Sequence, residues 1–327
     1  MRIAVTGSIA TDHLTTFPGR FTDQLIADQL DKVSLSFLVD ELEIRRGGVA
    51  ANISYGLGRL GLTPLLLGAV GPDFAGYRVW LKENGVDTDF VHVSEKRQTA
   101  RFMCTTDLDQ NQIASFYSGA MSEAHHIDLA PVAARLGGLD LVLVSPNDPR
   151  AMLRHTTQCR DLGIDFAADP SQQLARLEPE EARTLVDGAR WLFTNEYEAA
   201  VLCELTGWEQ AEVLDRVGAW VITRGAEGAR LQRAGGPVTD IPAVPVATIA
   251  DPTGAGDAFR AGFLAALSWR LPEETAARLG CAVAALALEA VGPQDYTVTA
   301  DTLLERVQDT YGQTTADTLA RHMERSA

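Results

Sequence analysis

Short, almost continuously apolar runs recur along the chain at residues 3–7, 64–70, 139–145, 164–169, 191–195 and 221–224. Between several of them lie stretches long enough for helices, at residues 52–60, 74–84, 150–162 and 179–189. A run that is apolar at nearly every position predicts a strand buried on both faces, whereas a half-exposed strand alternates. Strand–helix–strand repetition of such runs predicts an α/β fold with a parallel sheet covered by helices on both sides. After Gly254 the pattern is almost wholly helical.

Two segments depart from that rhythm. One contains SLSFLV and LEI, the other ARFMCTT and IASFY, and neither has a helical stretch between its paired runs. They predict a small antiparallel sheet projecting from the main body. Such a sheet would act as a lid hinged where the chain crosses into it, and lids exclude water from active sites. There is no internal repeat, low-complexity tract or Pro/Ser-rich linker. The expected organisation is one domain over residues 1–327, with a lid from approximately 11–46 and 97–118.

Composition narrows the function classes. Of 327 residues, 46% are apolar and 22% charged, as in a globular protein. Lys and Arg number 28 against 44 Asp and Glu, giving a net charge of −16. That balance opposes nucleic acid and anionic membrane surfaces as partners. The opening MRIAVTGSIATDH meets Ser8 and Asp12 before a signal-peptide core could form, and the apolar run at 281–291 is broken by Glu289. The four cysteines (Cys104, Cys159, Cys203, Cys281) are far apart, and the histidines show no ligand spacing, so they are expected at the surface or in turns. A cytoplasmic enzyme is the expectation.

No GxxxxGK[ST] motif is present, and the one GxGxxG match, at residues 56–61, closes a helical stretch instead of opening one. It reads as close packing and a helix stop. The chemistry is concentrated in DPTGAGDAF, residues 251–259, which leads straight into a helical pattern. Gly254 and Gly256 let the backbone turn and aim its N–H groups outward, and the first amides of the helix have no intrahelical acceptor. With the helix dipole this makes an anion site that needs no lysine. Asp257 lies among those amides, which predicts an ionised carboxylate. A carboxylate beside an anion hole is what phosphoryl transfer to a hydroxyl requires.

DPTGAGDAF resembles the second signature of the ribokinase-like (PfkB) family of carbohydrate and nucleoside kinases. Four further elements follow the family order: GGVAAN at residues 47–52, G-x-V-G-x-D-x-x-G at 68–76, NEYE at 195–198 and T-x-G-x-x-G at 223–228. The resemblance covers nearly the whole chain. It implies a ribokinase-like three-layer fold with a mostly parallel central sheet and a small β-sheet lid. Asp257 is then the catalytic base, with Gly254, Ala255 and Gly256 as the anion hole. Asn195, Thr223, Arg224, Gly225, Gly228 and Gly256 would border ATP, and Glu198 would hold Mg²⁺ through water. Asp251 and Thr253 stand where related kinases place oxygens around K⁺.

Further blocks, among them VTGSIATDHL, QIASFYSGAMSEA and ADPSQQLARL, are similar to the actinobacterial type of adenosine kinase. By that resemblance Ser8, Asp12, Ser36, Gly48 and Asn52 hold the ribose. Phe102, Phe116, Gln172 and Gln173 surround the adenine, with Arg176 approaching the same site. A purine can stack on phenylalanine, and an amide side chain can both donate to and accept from its edge. The implied reaction is ATP-dependent phosphorylation of the adenosine 5′-hydroxyl. The alternatives are a ribokinase or another sugar or nucleoside kinase of the family, or a non-catalytic ligand-binding relative. A homodimer pairing through the lid sheet is also expected.

Overall fold

The computed structural model describes residues 1–24 and 36–323. Part of the SLSFLV block and of the first lid segment therefore lies outside the described residues. The main sheet has eight strands, in the spatial order Thr239–Ile241, Ala229–Gln232, Ala219–Thr223, Trp191–Asn195, Asp165–Ala168, Leu141–Val144, Ile3–Thr6 and Leu65–Leu67. The last six of these run parallel, and the first two complete one edge in antiparallel fashion. Successive side chains go to opposite cores. Ile3, Val5, Leu141 and Leu143 enter one apolar cluster; Ala4, Val142 and Val144 enter the other. Burial on both faces is why these strands read as continuous apolar runs.

The expected run at 64–70 is two strands. Leu65–Leu67 belongs to the main sheet, while Ala69–Val70 pairs with His92–Val93. The break falls at Gly68, where an added Cβ would come within 2.8 Å of the Gly7 carbonyl oxygen. The Val49–Arg59 helix contains the start of the GxGxxG match, and close packing accounts for it: a Cβ on Gly56 would lie 2.6 Å from Ala261 and Tyr296. The helical tail follows as expected, in helices Ala255–Ser268, Glu273–Leu288, Ala300–Tyr311 and Gln313–Met323. His155, expected at the surface or in a turn, is buried instead; it bonds the Thr6 hydroxyl and the Ile127 carbonyl, and burial lowers its pKa to about 4.

A second sheet has the order Glu41–Gly47, Ala10–Thr16, Ala100–Thr106 and Gln112–Tyr117. It corrects the antiparallel expectation. Its two hairpin-like pairs are antiparallel, but the central pair, Ala10–Thr16 with Ala100–Thr106, is parallel. The first strand of one insertion thus lies beside the first strand of the other in the same sense. The register puts Asp12, Phe102 and Phe116 in one row. Among the described residues no helix is long and apolar enough to cross a membrane.

Candidate active site

The loop before the Ala255–Ser268 helix has a cavity on either side. The larger, of about 500 Å³, is lined by Ser8, Asp12, Gly48, Asn52, Phe102, Phe116, Gln172, Gln173, Arg176, Thr253 and Asp257, with Ala10, Val49, Met121 and Pro146. The other, of about 270 Å³, is lined by Thr223, Gly225, Gly228, Pro252, Ala255 and Gly256, and closed by apolar side chains such as Val244, Phe259, Ala284 and Leu288. Loop residues alternate between them: Thr253 and Asp257 face one, Pro252, Ala255 and Gly256 the other.

Local backbone chemistry shapes the loop. Gly254 is the helix N-cap with φ of 81°, a left-handed conformation that glycine adopts without a Cβ penalty, and no side chain caps the helix. The Ala255 amide donates to the Pro252 carbonyl at 3.3 Å. That turns one expected oxyanion donor inward, leaving the first-turn amides of Gly256 and Asp257. Beneath the loop, Arg260 donates to the Gly256 carbonyl at 2.9 Å and pairs with Asp169 at 2.6 Å. Both charged side chains are buried.

Asp257 differs from the sequence expectation. Burial pushes its pKa up to about 7, opposed by the Asn52 hydrogen bond and Arg260 and reinforced by Asp169. The helix amides do not outweigh the loss of water at the pocket floor. Asn52 donates to the carboxylate at 2.8 Å. Asp12 is raised to about 6, again by burial first, with Arg45 lowering it and Asp251 raising it.

The sugar-facing wall rests on Gly48, whose φ is 95°; a Cβ there would lie 2.6 Å from the Ala10 nitrogen and the Ser8 carbonyl oxygen. The Ser8 hydroxyl accepts from the Val49 amide at 3.0 Å. Gln172 and Gln173 lie on the turn Ser171–Arg176. Gln173 is buried, and its Oε1 has no hydrogen-bond partner. An unpaired acceptor on a residue that lines a cavity can be met by a donor on whatever fills it.

Some expected residues sit elsewhere. Ser36 is exposed and does not line either cavity. The Arg224 guanidinium turns away from the second cavity to Glu196, Glu227 and Asp240. Asn195 and Glu198 form a reciprocal cap on the helix Glu196–Thr206, and Glu198 also accepts from the Ser171 hydroxyl at 3.2 Å. Asp251 accepts from the Thr253 and Gly292 amides and pairs with Arg45 at 2.9 Å. Among the described residues no group of three or more His, Cys, Asp or Glu could hold a metal. Sequence reasoning gave no role to Asp169, although it lies in the ADPSQQLARL block, or to Arg260, directly after DPTGAGDAF; it missed Gln294, which belongs to no recognisable spacing, and the apolar walls of the second cavity.

Comparison with known proteins places the chain among nucleoside and sugar kinases. The structure of Burkholderia thailandensis nucleoside kinase in complex with inosine is 35% identical, superposes with a TM-score of 0.82 and covers 95% of this chain and 98% of that one. The nucleoside kinase of Methanocaldococcus jannaschii is 31% identical over 264 residues, 80% of this chain and 85% of the relative. The ribokinase of Bacillus subtilis is 28% identical over 89% of this chain and 94% of its own. The pattern of the pfkB family carbohydrate kinases matches residues 12–300, and the chain belongs to that family.

Proposed function

We propose that this protein is an ATP-dependent nucleoside kinase that phosphorylates the 5′-hydroxyl of adenosine. The carrying observation is the loop with a cavity on each side: a donor pocket against Ala255 and Gly256, an acceptor pocket against Asp257. The apolar slot suits the adenine of ATP, leaving its phosphates at the loop. In the acceptor pocket Asp12 takes the ribose hydroxyls, and the paired Phe102 and Phe116 offer faces to a purine. A free sugar would leave that apolar wall and the Gln173 acceptor unused. The four-stranded sheet is the lid, covering one domain.

Asp257 accepts the 5′-hydroxyl proton as that oxygen attacks the terminal phosphorus, ADP leaving on the other side. The amides of Gly256 and Asp257 stabilise the charge on the transferring group. Mg²⁺ fits the donor set through water, since Glu198 is a single carboxylate held rigid by its cap. Bound there with the phosphates, it would offset their charge. Potassium fits less well, because Arg45 already neutralises Asp251, and no step is assigned to it.

Inosine is the second reading: its N1–H could meet Gln173 as the adenine N6 amine does, and the Burkholderia relative was solved with it. A coupled ADP-release assay with adenosine, inosine, ribose and fructose separates the readings. Adenosine should give the highest kcat/KM; a preference for ribose or fructose would overturn the nucleoside assignment.

A further inference from the structure

Behind Asp257 runs a buried chain of polar side chains whose direction is fixed from its far end. Trp80 Nε1, which can only donate, points at Gln294 Oε1 at 3.1 Å. The Gln294 amide nitrogen therefore faces the other way and donates to Asn52 Oδ1 at 2.8 Å and to the Tyr77 hydroxyl. Tyr77 spends its own proton on the Gly47 carbonyl at 3.0 Å, so its oxygen is an acceptor toward Gln294. With Oδ1 held by Gln294, only the NH₂ of Asn52 can meet Asp257 Oδ2.

We infer that Gln294, anchored by Trp80, is a positioning residue that locks Asn52 with its amide N–H toward Asp257 and so keeps that carboxylate available as a base. Resting on the reading of Asp257 as the base, the inference extends it to residues that touch neither cavity. The two orientations of Asn52 have opposite consequences. An N–H toward the carboxylate favours its ionised form; an oxygen toward it would favour a protonated one. An asparagine alone can turn over at little cost, but here each amide is pinned by its neighbour. Trp80 is held in turn by Tyr55, stacked at 6.1 Å, and by the Arg46 guanidinium 4.4 Å from its ring centre.

Other groups act on Asp257 as well. Arg260 and Asp169 lie beside it, with Glu198 acting on Arg260. Tyr77 and Tyr296 lie behind, and Asp12 and Arg176 line the same cavity. Trp80→Phe and Gln294→Leu leave all of these in place, and Trp80→Phe also keeps a ring for Tyr55 and Arg46.

The test is a ¹³C-carboxyl NMR titration of the ligand-free protein, with the Asp257 signal identified by its loss in Asp257→Asn. It is read beside the pH profile of kcat/KM for adenosine and the thermal midpoint of each variant. Asp257 should titrate higher in both variants, by about half a unit to one unit, the order of one lost hydrogen bond. Activity at pH 6 should drop about three- to tenfold and recover toward pH 9. An unmoved Asp257 midpoint in folded variants, or a loss of activity equal at every pH, overturns the inference. Normal turnover by Asp257→Asn would instead refute the base assignment, and the NMR midpoints would still decide whether Gln294 sets the orientation of Asn52.

Discussion

Replacing Asp257 by asparagine should push activity and stability in opposite directions, and the structure sets the size of each. The Asp257 carboxyl is raised from 3.8 to about 7, mainly because the pocket floor removes its water. A group whose folded pKa lies above its unfolded value contributes stability fully below the unfolded pKa, near 4, and loses that contribution as pH rises through about 7. Each unit is worth ~1.4 kcal/mol, so holding the ionised carboxylate in the folded protein above pH 7 costs at most about 4 kcal/mol. Relaxation and water entry reduce this to about 1–3 kcal/mol. Asparagine has no such cost and keeps an oxygen for the Asn52 donor.

The assay is chemical or thermal unfolding of both proteins at pH 5 and pH 8.5. Asp257→Asn should gain about 1–3 kcal/mol relative to the parent between those pH values, a rise of a few degrees in Tm at pH 8.5. Asp12, raised to about 6, titrates in both proteins and cancels in the difference; Asp169, also raised to about 6, is coupled to Asp257, so the difference reports the two together. Turnover should fall roughly 10²–10⁴-fold, the range for a lost general base. If the variant gained nothing relative to the parent between pH 5 and pH 8.5, attraction to Arg260 would outweigh burial and the raised pKa would be wrong. If turnover stayed near normal, Asp257 would not be the base.

Phe116→Ala should raise KM for adenosine about five- to a hundredfold with a smaller change in kcat, since base stacking is worth ~1–3 kcal/mol; steady-state kinetics check it, and an unchanged KM would make Phe116 a packing residue. Gly48→Ala should abolish activity and lower Tm, because its Cβ would meet backbone at 2.6 Å in a left-handed conformation; normal kinetics would mean that the wall shifts freely. On the lid sheet, Leu42, Ile44, Met103 and Ile113 are exposed, and their register places them on the face opposite Asp12, Phe102 and Phe116. A homodimer covering that face should dissociate in Ile44→Lys, as read by sedimentation; a monomeric parent would end that proposal.

How much of this was legible in the sequence depended on which physical signal each part leaves. Strands such as Leu141–Val144 announce themselves because both faces are buried. The strand Ala229–Gln232, one in from the edge, alternates buried and half-buried positions in four residues, too short a pattern to stand out. The parallel pairing of Ala10–Thr16 with Ala100–Thr106 joins residues about ninety positions apart, and no local propensity encodes it. The cavity-lining residues were mostly legible through the resemblance of their sequence blocks to those of known kinases, with Ser8 and Asp12 readable also from their place at the end of the first strand. Asp169, Arg260 and Gln294 were not, since a lone polar residue in a helix or loop acquires meaning only from the partner that folding brings to it. The protonation of Asp257 was misjudged for a related reason: the amides of a helix start are visible in sequence, but the burial that opposes them is not.

The acidity of the chain raises a last question, which is where positive potential for a triphosphate comes from. The arginines around the loop do not supply it freely. Arg224 is committed to three carboxylates, Arg45 to Glu43 and Asp251, and Arg260 to Asp169. These pairs hold the walls of the cavities in place, and a phosphate would have to break them to claim a guanidinium. What remains unpaired are backbone amides at the start of the Ala255–Ser268 helix, whose charge is partial and fixed in direction, and on the acceptor side Arg176, which lines the cavity with Asp257 and has no carboxylate partner among the described residues. A site built that way is matched to charge that appears during transfer, because its donors are already oriented and require no rearrangement. In the proposed mechanism the remaining charge falls to Arg176 and to a cation that would arrive with the nucleotide. On the proposed reading, the net charge of −16 is compatible with phosphoryl transfer because recognition falls to geometry around one loop and not to the surface of the protein.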